Sequence, residues 1–162
     1  MKKCRLSIIL VPFLLLIVLA GCTTNASEEY KEITGIDLSD YKPLSVYDTH
    51  GGFHGDGLKC EIYDCSNTDI ENTIKSSHVW KQVPLSPNVE TLLYETIGEN
   101  KADSEKTFVP RIKNGFYTFY DRHSESEKPR DDTKIFDRGS FNLSLAVFDA
   151  DNQMLYYLEL DT

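Results

Sequence analysis

Two stretches near the carboxyl terminus alternate so strictly that only one local structure suits them. In Phe141–Phe148, the side chains of Phe141, Leu143, Leu145 and Val147 fall on one side of an extended chain. In Leu155–Leu160, Tyr156, Leu158 and Leu160 do the same. The link Asp149–Gln153 is short enough to make the two strands antiparallel neighbours. A chain that ends this way is committed to an antiparallel sheet, with its most apolar pair near the centre.

Other segments supply further strands and two helices. Leu44–Tyr47 and Leu58–Asp64 read as strands on either side of the glycine-rich Asp48–Gly57. Phe108–Ile112, Asn114-Gly115 and Phe116–Tyr120 read as a hairpin, its first strand confined to an edge by Pro110. Thr68 and Glu71 have capping-box spacing and predict a short helix over 69–76. Ser86 as N-cap, Pro87 as first helical residue and Gly98 beyond the end bracket a second helix, in which Val89, Leu92, Leu93 and Ile97 share a face. Trp80 is expected to pack near it. The expected architecture is α+β: an antiparallel sheet of five to six strands with two helices packed on one face. Asp121–Arg138 mixes both charges and is expected to order only against a partner.

Charge excludes one class of partner. The 162 residues carry 17 Lys and Arg against 26 Asp and Glu, a net charge of −9. Nucleic-acid binding needs clustered cations to meet phosphate, so no nucleic-acid partner is expected.

The amino terminus is not part of this fold. Lys2, Lys3 and Arg5 precede an uninterrupted apolar run, Ile8 to Ala20, which is shorter than the ~18–20 residues that cross a bilayer core. Basic residues, a short apolar core and small residues at its end make the pattern of a secretory signal peptide. Leu19-Ala20-Gly21-Cys22 resembles the lipobox of bacterial lipoproteins. The resemblance implies cleavage before Cys22, a thioether-linked diacylglycerol on its sulfur and an acylated amino group. It therefore implies attachment to a lipid bilayer on the extracytoplasmic side of the cell membrane. Two or three acyl chains hold stably where one does not. In a host with two membranes, Thr23 after the cysteine resembles proteins sent on to the outer one.

Processing carries the side-chain balance from −9 to −12, because residues 1–21 hold three cations and no acid. The 141 residues that remain are enough to bury a core without metal or disulfide. Thr23 to about Lys42 is polar and reads as a tether. The expected division is a signal peptide over 1–21, a polar tether over 22–42 and a single α+β domain over 43–162.

Three features carry candidate chemistry. Asp48, His50, His54 and Asp56 place two imidazoles and two carboxylates within nine residues. Neutral imidazole with carboxylate suits a divalent first-row metal, and glycines let the backbone fold tightly around an ion. The spacing matches no known metal-site pattern, so a plain glycine-rich strand connection stands beside that reading. Cys60 and Cys65, five apart on an extended segment, point to opposite faces ~16 Å apart and are expected to be separate thiols. Tyr117, Phe119 and Tyr157 belong to a dense aromatic group near the sheet. If two helices cover one face only, these rings are either covered by the long loop or form a binding surface.

Neither Asp121-Arg122-His123-Ser124-Glu125 nor Asp149-Ala150-Asp151-Asn152 makes a site. The first is consecutive rather than convergent, with no nucleophile elbow in the chain, and the second lacks the glycine and glutamate of a calcium loop. The expected function is that of a membrane-anchored, non-enzymatic binding module with an extracytoplasmic protein partner. The alternative is a divalent-metal-binding protein or metal-dependent enzyme using the Asp48–Gly57 loop. A small-ligand carrier is disfavoured by the chain's small size.

Overall fold

The computed structural model describes residues 26–51, 55–97 and 108–162. The alternating segments become strands: β1 Ser45–Asp48, β2 Gly57–Asp64, β3 Lys81–Gln82, β4 Gly115–Asp121, β5 Asn142–Asp149 and β6 Met154–Asp161. They form one antiparallel sheet in the order β1-β2-β6-β5-β4-β3. Among the described residues, the helices are α1 Ala26–Thr34, α2 Ile70–Ser76 and α3 Pro87–Thr91, the last continued by a wider turn over Leu92–Thr96. The α+β class and the antiparallel sheet follow the sequence.

Register builds two apolar faces. In the central pair, Leu143, Leu145 and Val147 stand opposite Leu160, Leu158 and Tyr156. On that face β4 adds Phe119 and Tyr117, and β2 adds Leu58 and Cys60. Val89, Leu92, Leu93 and Ile97 of α3 and its continuation pack there with them. The cap is as expected, with Ser86 Oγ accepting from Val89 N–H at 3.3 Å. The other face presents Ala146, Phe148, Leu155 and Tyr157, and it packs against Tyr30, Ile36, Leu38, Ile70, Ile74 and Trp80.

The helices are therefore divided between the faces rather than gathered on one. The reason lies in the central strands: residues 143–149 and 155–158 are buried at every position, and a strand apolar on both sides needs cover on both. Trp80 goes with this second layer, not with α3, and donates from Nε1 to Thr34 O at 2.7 Å.

The expected tether is also part of the domain. Tyr30, Ile33, Ile36 and Leu38 are buried, so the folded unit begins by residue 26 rather than 43. Four apolar residues among many polar ones are sparse, yet Tyr30 and Ile33 are buried on α1, and Ile36 and Leu38 are buried where the chain turns away from the helix at Gly35, which has φ +74°.

The Phe108–Tyr120 hairpin does not form. Residues 108–114 pair with no strand, and the edge beside β4 is taken by β3, with Lys81 opposite Tyr117 and Gln82 opposite Phe116. Pro110 cannot donate to a ladder, and the backbone at Gly115 explains the rest. A Cβ there would collide with the Phe148 carbonyl, so this glycine serves a close strand approach rather than a turn.

The charged loop after β4 is ordered by the chain itself. Asp121 N–H donates to Pro129 O at 2.7 Å, and Arg130 Nη2 donates to Ile33 O at 2.9 Å. Ser86 Oγ and Asn88 Nδ2 tie the Asp132 carboxylate and carbonyl to the start of α3.

Candidate functional site

Strands β1, β4 and β6 finish, and β5 begins, at one end of the sheet, where most of the polar candidates lie. Asp48 closes β1 and His50 follows it by two residues. His50 Nδ1 lies 2.8 Å from Asp48 Oδ1, and its backbone N–H donates to the same oxygen at 2.8 Å. Its other ring nitrogen, Nε2, lies 3.1 Å from Oδ2 of Asp161, the last residue of β6. Arg122, the residue after β4, places Nη2 at 3.0 and 3.1 Å from the two Asp161 oxygens and donates to Leu143 O as well. Its Nη1 reaches Glu29 of α1 at 3.6 Å.

This chain of contacts, Asp48–His50–Asp161–Arg122–Glu29, joins three strand ends and one helix. The His50 N–H, set against some burial and helped by the imidazole, holds the Asp48 carboxyl below its usual range. The Arg122 guanidinium lies between the Asp161 and Glu29 carboxylates and the His50 ring between those of Asp48 and Asp161, which makes the series a clamp. Both ring nitrogens of His50 are engaged by carboxylates, so coordinating a metal through either would require breaking one of these contacts.

Asp56 is exposed, and with Gly55, Arg122, His123 and Asp161 it borders a cleft of about 580 Å³. His54 and Cys22 lie outside the described residues. Among the described residues, no three His, Cys, Asp or Glu side chains converge as a metal site would require. A second cleft, of about 570 Å³, opens between α1 and the end of β4, lined by Glu28, Glu29, Glu32, Arg122, His123 and Asn142 among others.

The aromatic candidates are core. Tyr117, Phe119 and Tyr157 are 4%, 3% and 1% exposed, and the first two lie on the opposite face from the third. They offer no binding surface, because α3 and α1 with α2 cover both faces. Tyr157 meets Tyr30 edge-on at 4.3 Å and bonds Ser144 Oγ at 3.3 Å. Burial first, with Glu159 nearby, pushes its phenol far above the usual range. The two thiols are likewise interior: Cys60 belongs to the α3 face and Cys65 to the other, as separate thiols require.

Exposed apolar surface lies elsewhere. Leu44 and Val46 are 66% and 55% exposed, with Tyr41 and Tyr47 beside them, along the outer edge of β1. No described strand lies beyond that edge. Sequence reasoning missed both this patch and the Asp161–Arg122 half of the clamp. The clamp joins residues 111 apart, and nothing local in either segment announces the other.

No protein-family model, curated protein or solved structure matches this chain.

Proposed function

We propose that the chain is an exported lipoprotein, cut before Cys22 and held on the extracytoplasmic side of a membrane by acyl groups on that residue, and that its folded domain is a non-enzymatic binding module. The observation that carries this reading is Leu19-Ala20-Gly21-Cys22 behind a basic start and a short apolar run. The fold agrees with it in one respect: the described core draws on residues from Tyr30 to Leu160, so loss of residues 1–21 removes none of it. The polar clusters agree in another. Asp48, His50, Asp161 and Arg122 are spent on one another, and Asp121 on Arg138, which suits a scaffold rather than a reaction centre.

The surface offered to a protein partner is the outer edge of β1. Leu44 and Val46 stand exposed on one side of this strand and Tyr47 on the other, against Phe108 with ring centres 4.8 Å apart, next to outward-facing strand backbone. The opposite edge, β3, is two residues long and carries Lys81, the usual protection against pairing.

Metabolic labelling with a clickable fatty acid tests the anchor. The wild-type chain should take up label in the membrane fraction, and Cys22→Ala should lose the label and retain its amino-terminal segment. A stable, unlabelled, methionine-headed chain in the cytosol would refute the reading. A photo-crosslinker at Val46 should give one discrete adduct that the same group at Gln82 does not; equal adducts would remove β1 as the docking surface.

A further inference from the structure

The structure leaves very little chain between the lipidation site and the folded domain. Only Thr23, Thr24 and Asn25 separate Cys22 from the first turn of α1. Four Cα steps reach at most ~14 Å even when fully extended. The headgroup layer on each side of a bilayer is itself roughly 5–8 Å thick. A sheet strand of seven or eight residues spans ~25 Å, so the tether is shorter than the domain it holds.

The first turn of α1 is fixed at one end of the sheet. Glu29 meets Arg122, which follows β4, and the Arg122 guanidinium is pinned in turn to Asp161 at the end of β6. The same end carries an exposed aromatic. Phe136 is 41% exposed and stands edge-on against Phe141, just before β5, with ring centres 6.0 Å apart. Among the described residues it is the one large exposed apolar side chain outside the segment Tyr41–Tyr47. An exposed phenylalanine on an interfacial surface buries its ring at the boundary between headgroups and acyl chains.

We propose that this end of the sheet, with the first turn of α1 and Phe136, rests on the headgroup surface of the bilayer, and that the Asp149–Gln153 turn points away from it. The inference rests on the acylation of Cys22 proposed above and adds the orientation. The acyl chains hold the domain within one headgroup layer of the lipid, and α1 selects which end comes down. Glu28, Glu29 and Glu32 lie at this end, so an anionic bilayer repels it. Contact is therefore closer on zwitterionic lipid and at higher salt, the reverse of a polybasic anchor.

The test uses the processed, acylated full chain in phosphatidylcholine vesicles whose acyl chains carry bromine. Trp80, the native tryptophan, is buried and gives a constant background. Quenching of the added tryptophan in Phe136→Trp should exceed that in Asp151→Trp at least twofold. A ten-residue glycine-serine insertion after Thr23 should abolish the difference. In parallel, Ser124→Cys, at the proposed lower end, should react with a bulky polar maleimide several-fold more slowly than Asp151→Cys. Acylated, vesicle-bound protein with equal quenching and equal labelling at the two ends overturns the orientation alone. Recovery of the wild-type chain from its host uncleaved and without acyl groups overturns the lipoprotein reading and this inference with it.

Discussion

Arg138 closes the charged loop on Asp121 with both arms of its guanidinium, Nη1 at 2.8 Å and Nη2 at 2.6 Å from the two carboxylate oxygens. Asp121 is the buried last residue of β4, and Arg138 lies 17 residues on, so one bidentate contact fixes both ends of the segment. Removing the cation leaves a buried carboxylate without its partner, which costs about 3–5 kcal/mol where desolvation is complete. Arg138 is partly exposed, so Arg138→Ala should cost less, about 2–3 kcal/mol in chemical denaturation. Asp121→Asn, which removes the charge and keeps the shape, should cost less than Arg138→Ala.

The same pair gives a pH dependence. Burial works against ionisation of Asp121, but the Arg138 bond, the His123 N–H and Ser126 outweigh it and hold the carboxyl below its usual range. A depressed carboxyl binds its proton less readily in the folded state than in the unfolded one. Its stabilising contribution is complete above the ordinary aspartate value near ~4 and is lost as pH falls through the lower, folded value. Melting temperature in wild type should therefore drop on acidification below ~4, and in Asp121→Asn this drop should be shallower. Parallel curves for the two proteins would remove Asp121 from the account.

Deletion of residues 22–42 should abolish folding. A chain starting at Pro43 keeps every strand but loses Tyr30, Ile36 and Leu38, which cover Ala146, Phe148, Leu155 and Tyr157 together with α2, and loses the buried Ile33 as well. Each such side chain contributes roughly 1.5–3 kcal/mol of burial, and the sum rivals the whole stability of an ordinary domain. It also loses Thr34, whose carbonyl accepts from Trp80 and whose hydroxyl donates to Tyr30 O at 2.8 Å. A start at Ala26 should fold, as judged by near-ultraviolet circular dichroism and a cooperative melt; a cooperative melt from the Pro43 start would show the cover supplied by α1 to be dispensable.

How much of this was legible in the sequence differs by element. The central hairpin, β2, α2 and α3 are written in local patterns: strict alternation, a cap at Ser86, four apolar residues on one helical face. The packing of α1 is not, because its buried stripe is short and sits among charges, and only the uncovered side of β5 and β6 demands it. That demand was present in Ala146, Phe148, Leu155 and Tyr157, which make the central strands apolar on both sides. Tyr157 reads as a surplus aromatic for the same reason, because α1 supplies its cover, whereas Tyr117 and Phe119 lie under α3, on the opposite face. Of the polar candidates, Asp48 and His50 do meet, but the partner that decides their role, Asp161, is brought in by the register of β6 against β2 and β5, which no spacing within Asp48–Gly57 encodes.

Cys65 should resist both ionisation and oxidation. Burial, helped by Asp64, pushes its thiol up to about 11, so little thiolate exists at neutral pH. Cys60 is buried in the cluster on the other side of the sheet. Neither sulfur should react with a charged disulfide reagent over minutes in the native domain, and both should react at once in denaturant. After treatment with an oxidant, the protein should show no loss of the mass of two hydrogen atoms. A native disulfide linking Cys60 to Cys65 would contradict the register of β2.

Gly115→Ala should be among the most damaging of small substitutions. Gly115 opens β4 opposite Asp149, and its missing side chain leaves room for the Phe148 carbonyl; an added Cβ would also come within 3.3 Å of Ile112 Cγ2. Backbone, unlike a flexible side chain, cannot swing aside. The added methyl must separate β4 from β5 at the one place where Val83 N–H also bonds Gly115 O, at 3.1 Å, to hold β3. Overpacking of this kind costs about 1–3 kcal/mol, more when a strand must shift. Gly139→Ala, where the new methyl meets nothing within 4 Å, is the matched control and should change the denaturation midpoint little. Equal midpoints for the two variants would show that β4 tolerates displacement, and the Asn114-Gly115 pair would then have no packing role at the strand entrance.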